Sequence, residues 1–119
     1  MDIIKELQDW YTFQCNGEWE HESGVEIQSC DNPGWWVKID LKGTTLENQN
    51  FKIVSRNIST GFIDQALGKI KAPFTAEKSL VENDWMICHV KNGKFEGAGD
   101  ASKLEEILKI FLEWAKASK

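Results

Sequence analysis

Apolar and polar positions repeat with two different periods along this chain, and the change of period marks out its elements. Ile3, Ile4, Leu7, Trp10, Tyr11 and Gln14 recur every three or four residues, which predicts an amphipathic helix over residues 2–15. Asn16-Gly17 stops it, with Gly17 suited to the left-handed position that follows a helix. The next stretch, Glu18-Trp19-Glu20-His21-Glu22-Ser23-Gly24, is polar and reads as a loop.

From Val25 the period becomes two. Val25, Ile27 and Ser29 share one face of a strand running to Cys30. Trp35 to Leu41 is a stronger strand, with Trp35, Val37, Ile39 and Leu41 on one face and Trp36, Lys38 and Asp40 on the other. Between them, Asp31, Asn32, Pro33 and Gly34 form a structural turn. Proline sets φ at the first central position and glycine accepts a positive φ at the second, which predicts a type II turn and a hairpin. Lys42-Gly43-Thr44 is a further turn, and Phe51 to Arg56 can form a third strand.

Residues 57–83 are the least legible, because Gly61, Gly68 and Pro73 interrupt their apolar positions. Irregular structure with one short strand or helical turn is expected there. Asp84 to Val90 is apolar on both faces, as a central strand would be. Asn92-Gly93 is a hairpin signal, and Lys94 to Gly97 is the return strand. Ser102-Lys103-Leu104-Glu105 matches a capping box, and Leu104, Ile107, Leu108, Phe111, Leu112 and Ala115 make one apolar stripe. The expected fold is α+β: an N-terminal helix, an antiparallel sheet of four to six strands and a C-terminal helix, with both helices on one sheet face. The other face stays wet and carries Glu26, Gln28, Trp36, Lys38 and Asp40.

Composition places this pattern in a single domain of 119 residues, with 41% hydrophobic and 28% charged positions. No stretch has the apolar length of a membrane helix, and the acidic start of the chain lacks a basic leader, so a cytoplasmic protein is expected. Cys15, Cys30 and Cys88 are odd in number and widely spaced, which suits neither a disulfide framework nor a zinc site. The net charge of −5 is unevenly spread. Residues 1–50 hold ten acids against three lysines, and residues 51–119 hold nine acids against eleven bases. Nucleic acid is disfavoured as a partner, since phosphate contacts need clustered Lys and Arg. Six tryptophans exceed what so small a core readily absorbs, and one or two left at the surface would anchor a partner.

Several motifs together resemble the immunity protein 53 family of bacterial polymorphic toxin systems. They are Trp10-Tyr11-x-x-Gln14-Cys15-x-Gly17-x-Trp19-Glu20-His21, Asp31-Asn32-Pro33-Gly34-Trp35 and Ile39-Asp40-Leu41. Towards the C-terminus they are Asn83-Asp84-Trp85, Phe95-Glu96-Gly97-x-Gly99 and Leu104-Glu105-x-Ile107-Leu108-x-x-Phe111-x-x-Trp114-Ala115. Residues 57–80 match weakly. The resemblance implies a protein that protects its producer by binding a cognate toxin domain. A nuclease toxin would present a basic cleft, which an acidic, aromatic surface would plug. The partner-binding candidates are then Trp19, Glu20, Glu22, Glu26, Trp36 and Asp40.

Chemistry has weaker claims on the same residues. Glu18, Glu20, His21 and Glu22 lack metal-ligand spacing, so no metal or cofactor is expected. Asp31 and Asp40 are better read as a turn cap and a surface ion-pair member near Lys38 than as a catalytic carboxylate pair. A thiol-dependent enzyme such as a sulfurtransferase would need a stabilised thiolate. Cys15 ends a helix, Cys30 precedes Asp31 and Cys88 lies in a buried-looking strand, so none is favoured. A small-ligand or adaptor module is the remaining alternative, and it would require a deep apolar pocket.

Overall fold

A computed structural model describes residues 2–31, 33–58 and 84–118. The first helix, α1, spans Ile3–Gln14. Asp2 starts it by accepting the Lys5 amide at 3.1 Å, which satisfies one of the donors that every helix start leaves free. Its buried stripe is narrower than the sequence spacing suggests: Ile3, Leu7 and Gln14 are buried, while Ile4 and Tyr11 stay exposed. The positive φ of +92° falls on Gly17, two residues beyond the capping Cys15.

The segment expected as a loop contains one helical turn, α2, at Trp19–Glu22. Two side chains build it reciprocally. The Asn16 Oδ1 accepts the amides of Glu18 and Trp19, each at 2.9 Å. The Glu20 carboxylate accepts those of Asn16 at 2.9 Å and Gly17 at 2.8 Å. Trp19 is buried, and its indole N–H donates to the Lys42 carbonyl at 3.0 Å. One long-range bond thus holds the turn against the start of the 42–44 bend.

Among the described residues five strands follow: β1 (Val25–Cys30), β2 (Gly34–Asp40), β3 (Val54–Arg56), β4 (Met86–Lys91) and β5 (Lys94–Gly99). They form one antiparallel sheet in the order β1-β2-β5-β4-β3. The last helix, α3, spans Leu104–Ala117. The expected α+β architecture is therefore present, with α1 and α3 on one face of an open sheet. Val37 and Ile39 of β2, Met86 and Cys88 of β4 and Phe95 of β5 meet Ile107, Leu108, Phe111 and Leu112 of α3 in the core. Phe111 is the centre of its aromatic contacts, 4.9 Å from Trp10 and 5.1 Å from Phe95 between ring centroids. Removing each such side chain from water contributes about 1.5–3 kcal/mol.

Small residues let α3 sit close. A Cβ at Gly97 would overlap the side chain of Ile107, and one at Gly99 would meet Lys103. The Asn92-Gly93 hairpin has positive φ at both residues, +55° and +75°, as a type I′ turn requires.

Three expectations are corrected. Gly34 lies in β2, paired with Cys30, and its φ is not positive, so the connection is not the type II turn read from Pro33-Gly34. Glycine serves there because a Cβ would overlap the Gly99 carbonyl oxygen. Asp31 and Pro33 do lie in the connecting turn; Asn32 is outside the described residues. The third strand is only Val54–Arg56, because Phe51 is committed elsewhere. Its ring packs on Phe95 and Trp114, and the Trp114 indole N–H donates to the Asn50 carbonyl at 2.9 Å. That tether holds residues 50–51 to α3 and off the sheet ladder.

The capping box does not form. Lys103 occupies the N-cap without a side-chain bond, and Ser102 Oγ donates to Asp100 Oδ1 at 2.6 Å. Ser102 precedes the N-cap by one residue, so its oxygen is not the one that caps the first-turn amides, and its hydroxyl donates to the carboxylate instead. The expectation for residues 57–83 falls outside the described residues beyond Ile58.

Candidate functional site: the open sheet face

Register fixes which side chains share the face away from the helices. Glu26, Lys38, Glu96 and His89 form one row across β1, β2, β5 and β4. Gln28, Trp36, Ala98 and Ile87 form the row on one side of it, and Asp40, Lys94 and Lys91 the row on the other. Opposite charges therefore neighbour one another across the strands, Glu26 against Lys38 and Lys38 against Glu96.

This face is not uniform. Ile87 and His89 are buried at the β4 side, whereas Glu26, Gln28 and Trp36 are exposed at the β1–β2 side. The open half is where a partner can reach.

The tryptophans separate the same way. Trp19 and Trp85 are buried. Trp10 and Trp114 pack against the core, and Trp35 donates its indole N–H to the Ala101 carbonyl at 2.9 Å. Trp36 alone of the six is exposed, at 39% of its surface. The Lys38 ammonium lies over its ring, 5.3 Å from the centroid, a cation–π attraction between two neighbours on the same face. Trp19, expected among the partner contacts, is instead a buried strut beneath α2, in edge-to-face contact with Trp10 and Tyr11.

Four of the acids of the first fifty residues, Glu20, Glu22, Asp40 and Glu47, belong to α2, the end of β2 and the bend that follows it. Asp40 Oδ2 accepts the Gly24 amide at 2.9 Å, and Oδ1 lies 3.4 Å from Lys94. Asp40 is an ion-pair member as expected, but with Lys94 across the strand and not Lys38. Glu47 accepts the Gly43 amide beside Trp19 at 3.2 Å. Glu22 is exposed at the end of α2. Glu20 is partly committed to capping, and the amides of its own residue and of Asn16 hold its carboxyl below the usual range. Asp31 stands apart at the far end of the hairpin.

Sequence reasoning missed a second charged cluster. Asp100 is buried at the end of β5 and accepts the amides of Trp85 and Ser102 at 2.9 Å and 2.8 Å. The Lys103 ammonium lies 2.9 Å from both Asp100 and Asp84, and Arg56 bridges Asp84 to Glu106. Burial pushes the Asp100 carboxyl up, but the donors from Ser102, Lys103 and Trp85 outweigh it and hold the group far below the ordinary range. Three carboxylates, Asp84, Asp100 and Glu106, surround two cations, Arg56 and Lys103, and the cluster bolts the start of α3 to the sheet. The spacing Asp100-x-x-Lys103, read as a pair, was the available signal.

Nothing in this geometry activates a thiol. Burial, with Asp31 beside it, raises the Cys30 thiol above its usual pKa. Burial pushes Cys88 up to about 12. No group of three potential metal ligands occurs among the described residues, and no described helix is long and apolar enough to cross a membrane. An apolar groove of about 660 Å³ runs between α1 and α3 over Trp10, Phe13, Leu112 and Ala115, but the charges on its rim, Glu6 and Lys116, pair with each other.

The family model for immunity protein 53 matches residues 4–116. The chain belongs to the immunity protein 53 family. No curated protein and no solved structure matches it. Membership assigns a general immunity function, exercised by binding a partner toxin. A binding role agrees with a site that offers an open indole and carboxylates with no activated nucleophile.

Proposed function

We propose that this chain is a cytoplasmic immunity protein that neutralises a cognate toxin domain by covering its active site with the acidic, aromatic half of the open sheet face. One observation carries the reading: Trp36 is left exposed beside the row that holds Glu26 and Glu96, while the other indoles are buried or tied down. A large aromatic ring on a sheet platform is the usual anchor of a protein interface. Glu26 lies beside it, and Glu22 and Asp40 stand towards the acidic end. These charges would steer a basic surface into contact. Glu20 and Trp19 hold α2 in shape beneath that end.

A toxin active site lined by Lys and Arg suits this surface best. A nuclease has such a site, because it must hold phosphates. The protein would then act as a charge mimic of the substrate's backbone, with no cofactor. The experiment is co-expression. The toxin domain encoded beside this gene should arrest growth alone and fail to do so when this chain is present. Arrest at equal severity in both cases would contradict the reading.

A further inference from the structure

Antiparallel pairing decides which backbone groups of β1 are left over. The Gly24 carbonyl accepts the Asp40 amide at 3.1 Å, and bonded pairs alternate along such a ladder. Glu26–Lys38, Gln28–Trp36 and Cys30–Gly34 are therefore the bonded pairs. The N–H and C=O groups of Val25, Ile27 and Ser29 point the other way. They face outward from the sheet, because β1 is its terminal strand among the described residues.

Proteins ordinarily blunt such an edge with lysine, proline, a bulge or a covering loop. β1 has none of the first three: its sequence is Val-Glu-Ile-Gln-Ser-Cys, and its register with β2 runs unbroken. Among the described residues none covers it, and Glu26, Ile27, Gln28 and Ser29 are all exposed. A smooth strand with both faces open is competent to receive another strand.

Charge selects the occupant. Residues 6–37 hold seven acids and neither Lys nor Arg. A second copy paired antiparallel on β1 would bring Glu26 close to its own equivalent and Glu22 of each copy close to Asp31 of the other, with no Lys or Arg among residues 6–37 to offset them, which is repulsive. An extended segment carrying Lys or Arg meets no such penalty. We propose that the toxin domain docks by adding a strand to the β1 edge. Its main chain pairs with Val25, Ile27 and Ser29, a basic side chain lies beside Glu26 and an apolar one beside Ile27. This proposal rests on the immunity reading and supplies its mode of contact.

The test is Ile27→Pro. Proline deletes an N–H that faces outward and leaves the bonds to β2 in place, a substitution that edge strands tolerate. The control is Ile27→Ala, which shortens the side chain but keeps the N–H. Binding to the toxin domain encoded beside this gene is measured by titration, with amide exchange read by NMR on the wild-type complex. The expected result is a loss of at least tenfold in affinity for Ile27→Pro beyond that for Ile27→Ala, as roughly one hydrogen bond or more predicts. The Val25, Ile27 and Ser29 amides should also slow their exchange on binding. That second readout stands even if Ile27→Pro misfolds. A complex in which those amides exchange as in the free protein overturns strand addition and leaves the immunity reading standing. Absence of any wild-type complex overturns both.

Discussion

Lys103 and Asp100 meet at 2.9 Å with their side chains only 7% and 4% exposed. Asp100 is compensated for leaving water by Ser102, Lys103 and the Trp85 amide, and Lys103 by Asp100 and Asp84. Breaking one side of such a pair strands the other charge, which costs more than the pair is worth intact. Asp100→Asn should therefore destabilise the protein by about 3 kcal/mol. Urea unfolding of the two proteins measures it, and a difference below about 0.5 kcal/mol would remove Asp100 from the structural account.

Stability should fall with acid in two separable windows. Burial lowers the His89 pKa below 6.5, so the unfolded chain binds its proton more readily. Stability is thus lost as pH drops from 6.5 towards the folded value. Asp100 and Asp84 are depressed by Ser102 and Lys103, so their contribution is present above the ordinary carboxylate pKa and is lost as pH falls below about 4. Melting temperature against pH checks both. His89→Leu should flatten the upper window only, and Asp100→Asn the lower window only.

Gly97 lies under Ile107 with no room for a methyl group. Gly97→Ala should cost about 1–3 kcal/mol through overpacking. Combined with Ile107→Ala, the penalty should be less than the sum of the two single losses by about 1 kcal/mol. Strict additivity in a double-mutant cycle would show that the two positions do not touch.

The thiols should sort by position. Cys88, pushed up to about 12, should resist a disulfide reagent until the protein unfolds. Cys30 should react more slowly than a free thiol, because its pKa is raised. Rapid labelling of Cys30 in the native protein would revive a thiol-based activity.

Much of this architecture was legible because each element carries its own local signal. The alternation from Trp35 to Leu41, the Asn92-Gly93 turn and the apolar stripe of the last helix each appear where their periods place them. The failures share a different origin. The Ser102 cap lost its hydroxyl to a carboxylate two residues away, Gly34 answers to the backbone of Gly99, and Phe51 answers to Trp114. The last two are tertiary demands that no local spacing announces, and the first is a local contact in which the Asp100-x-Ser102 spacing outranks the capping-box pattern. Among the candidate residues, Trp36 and Glu26 stand on the open half of the face as alternation implies. Trp19 went inside, because a single indole N–H found the Lys42 carbonyl. Its polar neighbours concealed a helical turn that Asn16 and Glu20 cap from both sides.

Trp36→Ala should leave the melting temperature within about 2 °C of wild type, since the ring is open to solvent. It should nonetheless weaken toxin binding by at least 2 kcal/mol, as a central aromatic anchor does. Glu26→Lys should slow association and reduce its dependence on salt, with a smaller effect on dissociation. Stopped-flow mixing separates the two rates.

The most direct measurement is a calorimetric titration of this protein with the toxin domain encoded beside its gene, at low salt and micromolar concentration. The expected result is a saturable 1:1 complex that Trp36→Ala weakens at least tenfold. No heat of binding for the wild-type protein, or equal affinity for both, would contradict the assignment of the open sheet face as the docking surface.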